Sequence, residues 1–242
     1  MYGWRGRIGL IVPSSNTTCE MEFHHMAPEG VSVHTARVFN PEVTKEEEKE
    51  EAMLEMSAEL LKAAREVASV QPGVIIYACT TASFIKGPGY DKELGEKIKS
   101  ETGIPGYSTT TAVAEALKAL GLKRIALATP YAKSIGEREA AFLLKGIPGM
   151  EVVSEKHLGY VANLPKGRLT PQSAYQTARE VDVPDADGIF ISCTNWRTME
   201  IIEELEGDCG KPVVSSTQAS FWMALKTLGV AGLKGFGSLF QK

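Results

Sequence analysis

The chain has 242 residues, 43% hydrophobic and 23% charged, a balance that excludes disorder and leaves room for one large α/β unit or two small ones. A net charge of -4 offers no basic surface for nucleic acid or anionic lipid, so neither a nucleic-acid nor a membrane partner is expected. The opening apolar run is too short for a signal peptide or membrane span, and four cysteines are too few for a disulfide scaffold, so a cytoplasmic protein with free thiols is expected.

In chain order, Ile8 to Val12 reads as a strand that runs into the polar stretch Pro13 to Thr18. Short hydroxyl and amide side chains there suit either a carboxylate or an Asx turn capping the next helix, and both readings stay open. Val31 to Val38 reads as a second strand. Thr44 and Glu47 have capping-box spacing, which predicts one long helix through Leu54, Leu60, Leu61, Ala64 and Val67. The acidic run Lys45 to Glu51 then reads as its solvated first turn.

Further strands are expected at Val74 to Ala78, Ile125 to Ala128, Gly188 to Ser192 and Val213 to Val214. Helices are expected at Asp91 to Thr102, Thr111 to Leu120, Ile135 to Leu144, Pro171 to Val181, Arg197 to Leu205 and Ala219 to Leu228. This alternation predicts mainly parallel sheets flanked by helices.

Two stretches nearly repeat each other. Val74 to Thr81 and Gly188 to Asn195 are each a short apolar run ending on Cys-Thr, at Cys79-Thr80 and Cys193-Thr194. Downstream, Gly103-Ile104-Pro105 and the hydroxyl cluster Ser108 to Thr111 are echoed by Gly210-Lys211-Pro212 and Ser215 to Thr217. The expectation is a duplicated fold with lobes 1–121 and 122–242, the C-terminal helix packing back on the first. Ligands of open α/β sheets sit beyond the carboxyl ends of the strands. Cys79 and Cys193 would therefore face each other across a cleft, each at a strand-to-helix turn whose N–H groups and dipole favour a low-pKa thiolate.

Cys19 and Cys209 have no such counterparts and read as structural. Tyr131, after its strand, and Asn163, in the irregular loop 159–168, are further cleft candidates. The hydroxyl clusters read as helix caps, carboxylate binders or both. The four histidines have no zinc spacing and no Gly-rich phosphate loop is present, so neither metal nor cofactor is expected.

Together, Val12 to Thr18, Ala78-Cys79-Thr80, Pro130-Tyr131, Asn163 with Gly167-Arg168-Leu169, and Ser192 to Thr198 resemble the maleate cis-trans isomerases. These lie in the Asp/Glu racemase superfamily, which also holds arylmalonate decarboxylase. The resemblance runs from Ile8 to about Leu228. It implies two pseudosymmetric lobes, a cofactor-independent reaction, a small dicarboxylate between the two cysteines, and assembly as a dimer or tetramer. It also implies Cys79 as nucleophile, Cys193 as its acid/base partner, and Asn16, Tyr131 and Asn163 as carboxylate holders. Thr80, Thr81, Thr194 and Asn195 are added as candidate donors to an enediolate.

The decarboxylases carry glycine at the position of Cys79, so two thiols favour isomerisation of maleate to fumarate by thiolate addition. A decarboxylase, a two-cysteine racemase and a non-catalytic dicarboxylate-binding protein are the alternatives.

Overall fold

The computed structural model describes residues 1–242. Strands β1 (Gly6–Pro13), β2 (Val31–Val38), β3 (Val74–Tyr77) and β4 (Gly106–Ser108) form one parallel sheet in the order β2-β1-β3-β4. Strands β5 (Arg124–Tyr131), β6 (Glu151–Tyr160), β7 (Gly188–Ile191) and β8 (Val213–Ser215) form a second parallel sheet in the matching order β6-β5-β7-β8. The inner strands are continuous apolar runs because helices cover both faces. Val74, Ile75, Ile76 and Tyr77 are all fully buried, worth roughly 1.5–3 kcal/mol for each large aliphatic side chain.

The helices are α1 (Cys19–Met26), α2 (Lys49–Ala58), α3 (Leu60–Ala68), α4 (Thr80–Phe84), α5 (Tyr90–Thr102), α6 (Thr109–Ala119), α7 (Lys133–Gly146), α8 (Asn163–Lys166), α9 (Pro171–Val181), α10 (Ile202–Cys209) and α11 (Ser216–Leu228). α6 and α11 pack together between the sheets, where Ser220 Oγ donates to Thr109 Oγ1 at 3.0 Å. One core cluster of 68 buried residues continues through both sheets, so they share an interior. No helix is long and apolar enough to cross a membrane.

Several elements differ from expectation. The long helix predicted from Thr44 is two helices, α2 and α3, after a 3-10 turn at Glu46–Glu48. Thr44 is not its cap; Lys45 holds that position without a side-chain cap bond. Burial of Lys49, Ala52, Met53 and Met56 on one face sets the register instead. At the α2/α3 break Ser57 Oγ donates to Met53 O at 2.8 Å, a back-bond that bends helices, and the Glu59 N–H turns to Met56 O.

β6 had no sequence signal because it is an edge strand with largely half-exposed and charged residues. The helix expected at Arg197 starts only at Ile202, after a 3-10 turn at Met199–Ile201. The bounds of α1 and of the three-residue β4 had no sequence signal.

Candidate active site

Cys79 follows β3 in extended conformation and starts α4, while Cys193 follows β7 with φ of 99°. A positive φ is strained for any residue with a Cβ, costing about 1–3 kcal/mol, and such strain gathers where a side chain must be aimed. The turn is held from both sides. Cys193 N–H donates to Ser216 Oγ at 3.0 Å, and Asn195 N–H donates to the Cys193 thiol at 3.4 Å. The two Cys-Thr turns are also tied across the molecule: Thr194 Oγ1 donates to Ala78 O at 3.1 Å, and Thr80 Oγ1 donates to Ser216 Oγ at 3.1 Å.

The loop after β1 closes over these turns. Asn16 Oδ1 accepts from the Thr18 and Cys19 N–H groups at 3.0 and 2.9 Å, the Asx-turn reading, while its Nδ2 donates to Thr194 Oγ1 at 3.3 Å on the cavity side. Asn195 Oδ1 accepts from Thr17 N–H at 2.8 Å, and its Nδ2 donates to Asn163 O at 2.9 Å. Asn163 and Asn40 both donate through Nδ2 to Ser15 Oγ at 2.8 Å. Asn195 therefore spends its amide on stitching the β1 loop to α8. Gly167 allows this closure, because a Cβ there would run into Thr17 and Asn195.

The result is a cavity of about 20 Å³, room for about one water, lined by Asn16, Cys79, Thr80, Thr81, Tyr131, Asn163, Cys193, Thr194 and Asn195. All nine residues singled out from the sequence thus meet in one place. Ser108 and Ser215 do not reach it: each caps a helix, accepting from Thr111 N–H at 3.3 Å and Gln218 N–H at 3.2 Å. Cys19 lies buried beside Glu22 and Thr217, and Cys209 is half-exposed beside Arg179. No cluster of three or more His, Cys, Asp or Glu side chains is disposed to hold a metal ion.

Sequence reasoning missed Asn40, Met53 and, above all, two lysines in the same lining, Lys49 and Lys166. Lys49 had a signal. It stands at i of an i, i+3, i+4, i+7 pattern with Ala52, Met53 and Met56, so a helix starting there turns it inward despite the glutamates around it. Lys166 had none: the stretch 159–168 reads as an irregular loop, whereas its residues 163–166 form the short helix α8.

The electrostatics differ from expectation as well. The low-pKa thiolate predicted for each turn does not survive burial: desolvation pushes Cys79 up to about 11, against the Ala82 N–H and the Lys49 charge that pull it down. Cys193 is also raised by burial, opposed by Lys166, the Asn195 N–H and Tyr131. Burial lowers Lys166 to about 8 and lowers Lys49 too. Tyr131 is raised by burial and keeps its proton as a donor beside Thr81, Ser192 and Cys193. Behind Cys193, Glu139 is raised by burial to about 8 and accepts from Ser192 Oγ at 2.7 Å.

A maleate isomerase from Geobacillus stearothermophilus is 31% identical over 238 residues, covering 93% of this chain and 92% of that protein. An arylmalonate decarboxylase from Bordetella bronchiseptica is 34% identical over 193 residues, covering 74% and 75% of the two. Among solved structures, a cysteine-to-serine variant of Nocardia farcinica maleate cis-trans isomerase with a covalently bound succinylcysteine intermediate has a TM-score of 0.89 and 27% identity, over 98% of this chain and 99% of that one. The family model for arylmalonate decarboxylase matches residues 8–240, nearly the whole length, and the chain belongs to that family of enzymes.

Proposed function

We propose that this protein converts maleate to fumarate by reversible thiolate addition, with Cys79 as nucleophile and Cys193 as acid/base partner. The observation that carries the reading is the pair of thiols at matched strand ends lining one small polar cavity. A decarboxylation that only protonates an enediolate needs one thiol, and the second has its own use in covalent addition.

Cys79 enters as the thiolate, the minor form that has released its proton to water. Its electron pair forms a C–S bond to one alkene carbon, and the π pair moves onto the neighbouring carbon and its carboxylate as an enediolate. Cys193 S–H protonates that carbon, leaving a succinyl thioether whose central bond is single and rotates. After rotation the Cys193 thiolate takes a proton back from the same carbon, the electron pair re-forms the alkene as the trans isomer, and the C–S bond breaks to return the Cys79 thiolate. Tyr131, Asn16 through its second Nδ2 hydrogen, Thr81, and the backbone N–H groups of Thr80 and Thr81 that open α4 are the donors for the carboxylate and enediolate oxygens; the Thr80 and Thr194 hydroxyls are spent on Ser216 Oγ and Ala78 O, and Asn163 and Asn195 hold the loops that carry the donors. The succinylcysteine in the Nocardia farcinica structure supports the same order of bonds.

Proton NMR of the purified protein with maleate tests the reading. Conversion of the maleate vinyl signal into that of fumarate is expected. Unchanged maleate, with release of carbon dioxide from an arylmalonate or exchange of an amino-acid α-proton, would overturn it in favour of decarboxylase or racemase.

A further inference from the structure

We propose that Lys49 and Lys166 form a cationic substrate-positioning pair that restricts the site to short dianionic acids lacking an ammonium group. The inference rests on the dicarboxylate reading above and deepens it by naming the charges that recognise the substrate.

Both lysines are nearly fully buried, at 4% and 2% exposure, and both line the cavity that holds the two thiols. Neither ammonium has a carboxylate within 4.0 Å. Lys166 Nζ donates to Val161 O at 2.9 Å and stands 5.1 Å from the centre of the Tyr131 ring. Lys49 Nζ finds no acceptor in the protein. Glu42 acts on both lysines only from beyond ion-pair distance, and a buried cation without a direct ion-pair partner carries a cost that an incoming anion relieves. The sources differ: Lys49 opens α2 in the first half, and Lys166 closes α8 in the second. Two cations from opposite halves thus match two carboxylates on one short ligand.

Burial brings Lys166 to about 8, so it is still mostly protonated at neutral pH. The same pair repels the ammonium of an amino acid, which counts against the racemase alternative. Pro13 and Met53 are the aliphatic side chains of the lining, and the Tyr131 ring already carries Lys166 over it, so no apolar slot receives an aryl group. Because the cavity has room for about one water, a four-carbon diacid enters as the flexible lysine side chains draw aside and re-pair with its carboxylates.

Calorimetric titration with succinate, a dianion with no alkene to attack, and with butyrate, its monoanionic counterpart, tests the pair. Lys49→Met and Lys166→Met are each expected to weaken succinate at least tenfold and butyrate less than twofold, with Lys→Arg variants retaining most of the affinity. Succinate affinity within twofold of the parent, or equal losses for both ligands, overturns the proposal. Should the variants fail to fold, the unmodified protein serves. Relative to free cysteine, Cys79 should favour anionic iodoacetate over neutral iodoacetamide at least fivefold, and an equal preference overturns the pair. The isomerase reading stands or falls separately: lysine-dependent succinate binding without maleate conversion removes the isomerase and keeps the pair, and conversion with lysine-independent binding does the reverse.

Discussion

Cys193 N–H and Ser216 Oγ meet at 3.0 Å, and that one hydroxyl, which also accepts from Thr80, holds the strained φ of 99° in place and joins the two Cys-Thr turns. Ser216 does not line the cavity, so its part is positioning. Ser216→Ala leaves the buried Cys193 N–H unpartnered, at about 1–3 kcal/mol of stability. The turn then relaxes, and kcat for maleate should fall about 10- to 100-fold with KM changing much less. Thermal unfolding together with steady-state kinetics reads both effects. Activity within twofold of the parent would show that the turn is held without Ser216.

The two thiols should fail differently. Cys79→Ala removes the sulfur that the proposed route uses to form the C–S bond, and conversion should drop to background. Cys193→Ala leaves addition possible but removes the group that takes the proton back, so an adduct should accumulate. Intact mass spectrometry of this variant after incubation with maleate should show one added maleic acid per chain, and peptide mapping should place it on Cys79. An adduct on Cys19 or Cys209 instead would assign the chemistry elsewhere.

The thiols were legible in the sequence because each sits after a four-residue strand buried on both faces, and that environment requires an uninterrupted apolar run. The helix expected at Pro171 to Val181 is present with those bounds, and Thr170 Oγ1 caps it by accepting from Ser173 N–H at 3.2 Å. The charge of the site was not legible. Lys49 stands among five exposed glutamates, and composition there reports the solvent side of the helix, while only the positions of Ala52, Met53 and Met56 reveal which way Lys49 turns. The thiol pKa was misread because a turn shows its N–H groups in the sequence but not how deeply later segments bury it. α8 and the β1 loop, more than 140 residues apart in sequence, supply that cover through Asn163 and Ser15.

The buried thiol makes the reaction pH-dependent in a defined direction. With Cys79 near 11, only about one molecule in 10,000 carries the thiolate at pH 7, and this fraction rises about tenfold per pH unit. kcat/KM should therefore climb from pH 6 toward 8 with a slope near one on a logarithmic plot. Above about 8 Lys166 loses its charge and the climb should flatten. Alkylation of Cys79 by neutral iodoacetamide needs no cation and should keep rising past pH 9. A flat kcat/KM between pH 6 and 8 would mean that Cys79 is already ionised at rest.

Gly167 tests the closure of the site. A methyl group there meets Thr17 and Asn195 and displaces α8, which carries Asn163 and Lys166. Gly167→Ala should raise KM for maleate several-fold and speed alkylation of Cys193, while thermal stability changes by less than about 2 kcal/mol, since α8 is a single turn outside the main core. Unchanged KM and alkylation would show that α8 accommodates the methyl without moving.

Glu139 links stability to pH through a carboxyl that keeps its proton. It is 1% exposed, accepts from Ser192 through Oε1, and leaves Oε2 without a partner, a setting that penalises the anion. Its folded value is about 8 against an ordinary 4.5. Below 4.5 both folded and unfolded chains hold the proton and no penalty operates. Between 4.5 and 8 the folded chain holds a proton that the unfolded chain has released, so folding stability falls with rising pH by about 1.4 kcal/mol per unit from this group alone. Above 8 the loss is complete. Glu22, raised to about 7, adds a smaller decline that ends earlier. Glu139→Gln is neutral at every pH and can still accept from Ser192, so it should unfold at nearly the parent temperature at pH 4.5 and at a clearly higher temperature at pH 8. A difference of the same sign and size at both values would show that Glu139 is ionised in the folded chain and owes its place to an undetected partner for Oε2.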